Sequence, residues 1–296
     1  MSSTKSNDFV PVSQWPTLEE LAVGFVEHLM PASSALADEV INIVFDGDIS
    51  ISHHFTTESS LNWEITTGPQ KDTKGKHDYK AFEVRSSIFF VDFYKPEFEE
   101  HVSLVWNRST GQIIAGLSKL KEVEGKWRTT TEFLQGHDAT FPYATPFPNT
   151  DELVGRHILY RYSPKDAYEH VYLNSGTLTW HCLSGTEKGL ADTEFCRTFK
   201  LSDQLYLLFW TETIMPVESF VVVDLQKMRS TGRFYCWDPK PQRVVQMLFG
   251  SYATHLAKTD AAAVAASPLL HKEQINSGIK SEIASSADKT AICCMY

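Results

Sequence analysis

Tyr160 and Tyr162 stand two residues apart in the run His157 to Tyr162, which reads as a β-strand. A period of two puts both hydroxyls on one face. Facing a barrel lumen they would be paired donors for a carboxylate or enolic oxygen; otherwise they are aromatic core residues. Tyr168, His170 and Tyr172 share one face of the next run, with Glu169 and Val171 on the other. An imidazole between two phenols is a candidate acid–base unit, because histidine titrates near neutral pH. Glu212 ends the apolar run that begins at Leu205. Desolvated by Phe209 and Trp210, its carboxyl would have a raised pKa and could act as a general acid. Catalysis is therefore expected at Tyr160, Tyr162, Glu212 and His170, with Tyr168, Tyr172, Trp180, Trp210 and Lys188 contacting substrate. His181, between Trp180 and Cys182, could face either way, with an outward strand residue as the ordinary reading.

These residues occupy the second of two copies of one pattern. A shift of 117 positions lays Phe45 on Tyr162, Phe55 on Tyr172, Leu61-Asn62-Trp63 on Leu178-Thr179-Trp180, and Phe82 to Phe93 on Phe199 to Trp210. After a slip of four residues, Ser109-Thr110-Gly111 falls on Ser230-Thr231-Gly232. A repeat this long implies two copies of one domain. The copies differ where chemistry could live: Ile43 and Phe45 replace the two tyrosines, and Lys95 replaces Glu212. His53, however, stands where the second copy has His170, so a structural histidine is the competing role. The chemistry is expected in the second half.

The elements that must position these groups are short strands. In the first copy they run Ile41 to Phe45, Ile49 to Phe55, Leu61 to Thr66, Tyr79 to Arg85, Ile88 to Tyr94, His101 to Asn107 and Gln112 to Leu120. Their alternation and spacing read as an antiparallel up-and-down meander. The second copy repeats it from His157 to Tyr162, Tyr168 to Leu173, Thr177 to Leu183, Phe195 to Leu201, Leu205 to Thr211, Phe220 to Leu225 and Gly232 to Trp237. Seven or eight strands with an apolar interior suit a small closed barrel able to hold one ligand. The fold class is therefore all-β, as tandem lipocalin-like antiparallel barrels. Thr17 and Glu20 form a capping box before a helix expected to reach His28, with Leu18, Leu21, Phe25 and Leu29 as its apolar stripe; it should close or flank a barrel. The expected division is a disordered stretch 1–14, a barrel over 15–145, a proline-rich linker Phe141 to Asn149, a barrel over 150–258 and a disordered tail 259–296.

A net charge of −10 argues against nucleic acid, which needs clustered Lys and Arg. No apolar stretch approaches the roughly 20 residues of a membrane helix, and the polar start lacks a signal peptide's apolar core. A cytoplasmic location follows, and Cys182, Cys196 and Cys236 read as buried hydrophobes without metal spacing. No His, Glu or Cys spacing predicts a metal site, and no phosphate loop or nucleophile elbow occurs. Cys293-Cys294 ends the chain in a pattern like some prenylated tails, with chance composition as the alternative.

The segment Thr150-Asp151-Glu152-Leu153-Val154-Gly155, Tyr162-Ser163-Pro164, Ala167-Tyr168-Glu169-His170, Trp180-His181-Cys182-Leu183-Ser184-Gly185, Glu187 to Thr193 and Val223-Asp224-Leu225 resembles the molybdenum cofactor biosynthesis protein F (MoaF-like) family. The resemblance extends over roughly residues 15 to 255 and implies a calycin, or lipocalin-like, barrel. No pterin or molybdenum chemistry is inferred from the family's name. Gly155 to Tyr162, Tyr168-Glu169, Ser184-Gly185 and Trp210-Thr211-Glu212 also resemble bacterial phenolic acid decarboxylases. That resemblance implies that Tyr160 and Tyr162 grip a carboxylate and that Glu212 moves a proton. The family's catalytic arginine is replaced by Leu190, leaving Lys188 or Arg197 as substitutes. The resulting expectation is a cofactor-independent lyase or isomerase, acting on a small aromatic or polyketide-like secondary metabolite in the second barrel. A non-catalytic small-molecule binder is the alternative, and a partner protein with filled barrels is a third. The ligand would be small and hydrophobic or aromatic, with no nucleic acid, no membrane span, and homodimerisation left open.

Overall fold

The computed structural model describes residues 16–212, 216–238, 240–260 and 263. The expectations for residues 1–14, for nearly all of the tail after 258 and for Cys293-Cys294 lie outside the described residues. Two closed antiparallel barrels follow one another along the chain. The first comprises β1 (Val40–Phe45), β2 (Ile49–Phe55), β3 (Ser60–Thr67), β4 (Lys74–Arg85), β5 (Ile88–Lys95), β6 (Glu100–Asn107), β7 (Gln112–Val123) and β8 (Lys126–Asp138). The second comprises β9 (Arg156–Arg161), β10 (Ala167–Asn174), β11 (Thr177–Ser184), β12 (Ala191–Ser202), β13 (Leu205–Thr211), β14 (Val217–Asp224), β15 (Arg229–Asp238) and β16 (Arg243–Lys258). Every consecutive pair hydrogen-bonds, and β8 on β1 and β16 on β9 close the circuits. Closure leaves no edge strand. The two closing strands, β8 and β16, are the ones that the sequence pattern did not announce. Among the described residues no helix is long and apolar enough to cross a membrane.

Alternation marks walls that face solvent. β1 and β11 bury every second residue, whereas β6 and β14 are buried at all eight positions and β13 at all but its last. A strand buried on both faces has a lumen on one side and something dry on the other. Here the dry neighbour is the other barrel. Phe82, Val84, Ile88 and Phe90 pack with Phe199, Leu201, Leu205 and Leu207 in a core separate from the two lumens. These four are related to the other four by the same shift of 117 positions. The two copies therefore meet through equivalent faces, as subunits of a two-fold dimer do. Phe147 of the linker joins this core. Gly116 is required here, because a Cβ would lie 2.7 Å from the Phe220 ring.

A buried ionic network crosses the same interface. Arg233 has no exposed surface. Its Nη1 donates to Glu218 at 2.6 Å, its Nε to Ser103 at 2.9 Å and its Nη2 to Ser118 at 2.5 Å. The Thr131 hydroxyl donates to the other oxygen of Glu218. Asp92, held by Ser103 at 2.7 Å and His101 at 2.8 Å, lies behind. Arg85 adds an ion pair to Asp224 at 2.7 Å.

The N-terminal segment departs from expectation. Its capping box forms, with Thr17 N–H donating to Glu20 at 2.8 Å and Glu20 N–H to Thr17 at 3.2 Å. Helix α1, however, covers only Leu18–Leu21. Gly24, at φ +91° against Ser163, breaks it well short of His28. The Leu18 N–H donates to Asp238 at 3.0 Å, so this segment, which precedes the first barrel, closes the second.

Removing one partner of a buried pair strands the other charge, at about 3–5 kcal/mol. Glu218→Leu should lose that much stability by urea unfolding, while Glu218→Leu with Arg233→Met should regain most of it. Equal losses in both would mean that packing, and not the pair, is the sensitive feature.

Candidate functional site

The second barrel places most of the expected residues on one lumen. A cavity of about 40 Å³ is lined by Tyr162, Tyr168, His170, Trp180, Trp210 and Glu212, and also by Glu187. Leu18, Leu21, Ala22 and Phe25 of the N-terminal segment cover it. Phe25 stacks on Tyr162 with ring centroids 5.0 Å apart. The wall residues come inward because β9, β10 and β11 alternate in register: Tyr168 pairs with Tyr160 and Cys182, and His170 with Ile158 and Trp180.

Tyr160 faces the same interior but stands below the cavity. Its hydroxyl shares a 2.8 Å hydrogen bond with that of Tyr172, and its ring packs 4.8 Å from the His170 ring. Tyr160 and Tyr162 thus share a face without acting as a pair; the phenols at the cavity are Tyr162 and Tyr168. Lys188 is exposed, and Arg197 lies over Phe133 and Phe199 on the outer wall, so neither reaches the lumen. The described residues lining the cavity include no Lys or Arg.

Glu187 is the residue that local pattern did not find. It sits between Gly185 and Gly189, where a solvated loop carboxylate is the ordinary expectation. The turn folds back through Gly189 N–H to Cys182 at 2.8 Å and Leu190 N–H to Glu187 at 2.9 Å, which swings the side chain inward. Glu187 is buried, accepts from the Tyr168 hydroxyl at 3.0 Å, and keeps its other oxygen without a protein partner. Burial pushes its pKa up to about 7, against the opposing pull of Tyr168 and with Asp166 adding to the rise. Glu212 is half-buried as a residue, yet its carboxyl is held well above the ordinary range, first by burial and then by Glu187 and Glu194. Burial does the reverse to His170, lowering it to about 3 and leaving its Nδ1 unpaired. An imidazole held neutral by burial offers the lumen a hydrogen-bonding group at pH 7. His181 faces outward, where it and His157 hold Glu169 at 2.8 and 2.6 Å.

The first barrel has its own lumen, of about 420 Å³. Phe45, Ile51, His53, Trp63, Phe93 and Lys95 line it at the positions, 117 residues earlier, of Tyr162, Tyr168, His170, Trp180, Trp210 and Glu212.

Family models described as MoaF N-terminal domain and MoaF C-terminal domain match residues 13–122 and 147–259. Protein MoaF of Klebsiella aerogenes is 32% identical over 228 residues, or 72% of this chain and 84% of that protein. The chain belongs to the MoaF family. The N-terminal match takes in the segment before the first barrel and β1–β7, and the C-terminal match takes in β9–β16. A solved structure from Burkholderia vietnamiensis, provisionally named a beta-lactamase, shares 14% identity over 36% of this chain and 96% of its own, at a TM-score of 0.29. That likeness is too weak to bear on the MoaF-family barrels.

The two lumen groups predict opposite pH effects. The raised pKa of Glu187 contributes stability that is full below pH 4.5, the unfolded value, and is lost as pH rises through about 7. The lowered pKa of His170 contributes stability present above 6.5 and lost as pH falls toward 3. Glu187→Gln should therefore be more stable than the parent at pH 8, by on the order of 3 kcal/mol, with the difference vanishing near pH 4.5. Denaturant titrations at the two pH values test this; a pH-independent difference would refute a neutral buried carboxyl.

Proposed function

We propose that the second barrel is a cofactor-independent acid–base site, a lyase or isomerase for a small aromatic or polyketide-like molecule. The observation that carries this is the convergence of two carboxyls driven toward protonation, Glu187 and Glu212, with the phenols of Tyr162 and Tyr168 around one apolar lumen. Paired titratable groups whose environments hold them in different protonation states at neutral pH can divide acid and base roles. Glu187, titrating near 7, takes a proton from the carbon beside a carbonyl. Tyr162 and protonated Glu212 donate hydrogen bonds to the enolic oxygen that forms. Returning the proton to a different carbon completes an isomerisation, so the step needs no electron acceptor or donor.

The lumen's charge selects among substrates. With two carboxyls and no cation among the described residues of its wall, it disfavours a substrate that enters as a carboxylate. A neutral enolisable carbonyl compound fits better than a hydroxycinnamate, which departs from the decarboxylase resemblance in substrate while keeping its proton transfer. Free space of about 40 Å³ admits roughly a water molecule, so the substrate must displace Phe25 from Tyr162. The same small volume favours a second reading, a binder whose tyrosines only orient a ligand.

Turnover of a panel of enolisable aromatic ketones separates the two. Glu212→Gln and Glu187→Gln should each lower kcat by about 10²–10⁴-fold while substrate still binds. Ligand-dependent melting shifts with no turnover, unchanged in both variants, would leave only the binder.

A further inference from the structure

We infer that the first barrel is a second ligand chamber, built for a flat aromatic carboxylate whose acid group meets Lys95 and Lys119. Its volume of about 420 Å³ falls within the range of small-molecule pockets, roughly 300–1,000 Å³. The chamber is not a by-product of the barrel. The second copy fills the equivalent space with Tyr162 and Tyr168 in place of Phe45 and Ile51, and covers it with Phe25. The first copy keeps the smaller Phe45 and Ile51 and the larger free volume.

Its polar groups are arranged for an anion. Lys95 lies 4.5 Å from the Trp63 ring centroid and 5.7 Å from that of Phe98, an ammonium held against aromatic faces. Glu100, largely buried, accepts from Lys95 at 2.5 Å and from Lys119 at 3.1 Å. Two ammonium groups thus share one inner carboxylate; the remaining wall carboxylate, Glu132, is exposed. A ligand carboxylate supplies the second counter-charge, and His53, buried with its Nδ1 unpaired, offers a further polar contact from the wall. Trp63, Phe93 and Phe45 provide the apolar bed. Since Lys95 stands where Glu212 stands in the other copy, the two lumens are tuned to ligands of opposite character.

The full chain titrated by calorimetry with 2-naphthoate and its neutral amide, 2-naphthamide, tests this. Naphthoate should bind at one site at least tenfold tighter than the amide, and Lys95→Met should abolish that preference. Ala115→Phe, which fills the chamber from β7, should remove binding of both, with Ile51→Phe as a second filling variant if the first melts early. No naphthoate binding, or binding indifferent to Lys95→Met and both filling variants, would overturn the chamber. Equal affinity for acid and amide would overturn its anion preference.

Discussion

A guanidinium with no exposed surface sits between the two barrels, and much of the architecture depends on its being satisfied. Arg233 spends its donors on Glu218, Ser103 and Ser118, so strands from both barrels must stay in register for any of these bonds to form. Burying such a group is costly unless every bond is made, and here hydroxyls from three strands of the first barrel complete a pair made by the second. The surrounding phenylalanines, valines and leucines keep water out, which strengthens each bond and raises the cost of separation. The polar network fixes how the two faces sit, while the apolar area supplies the attraction.

The faces of β4–β7 and β12–β15 that meet across the interface are committed to a dry contact and its buried ion pairs, which leaves the lumens as the enclosed spaces open to a ligand. Within the lumens the repeat holds the same six wall positions, and the copies diverge at them in a consistent direction. Phenols and carboxyls fill the second, while smaller apolar groups and an ammonium line the first. The histidine is common to both, and burial drives both His53 and His170 down to about 3. A residue held alike in both lumens under the same desolvation behaves as part of the shared wall. The divergent positions are the ones able to distinguish ligands.

Much of this was legible in the chain. The strands, their direction and the shared face of Tyr168 and His170 follow from period-two alternation, and the two barrels from the 117-residue repeat. What was not legible depends on contacts distant in sequence. Strand β8 carries intermediate burial along most of its length and β16 shifts from mixed to exposed, so neither shows clean alternation. Arg233 and Glu218 look like ordinary strand charges until the other barrel covers them. Glu187 looks like a loop carboxylate until two glycine-flanked backbone bonds turn it inward. Tyr160 keeps the predicted face, but Tyr172 takes its hydroxyl, a pairing set by how deep each residue lies in the barrel.

The N-terminal segment joins these levels. Leu18, Leu21 and Phe25 precede the first barrel in sequence but cover the second, with Leu18 held by Asp238 and Glu19 paired to Arg243. To reach that mouth the chain must then return and build the first barrel against the second. The lid of the second lumen is therefore tethered to the first barrel. A second barrel expressed without residues 1–138 would lose its cover, its outer apolar wall and the Ser103 and Ser118 hydroxyls that Arg233 donates to, together. Duplication here produced an interdependent unit, in which the first copy shields and closes the second whatever ligand it holds itself.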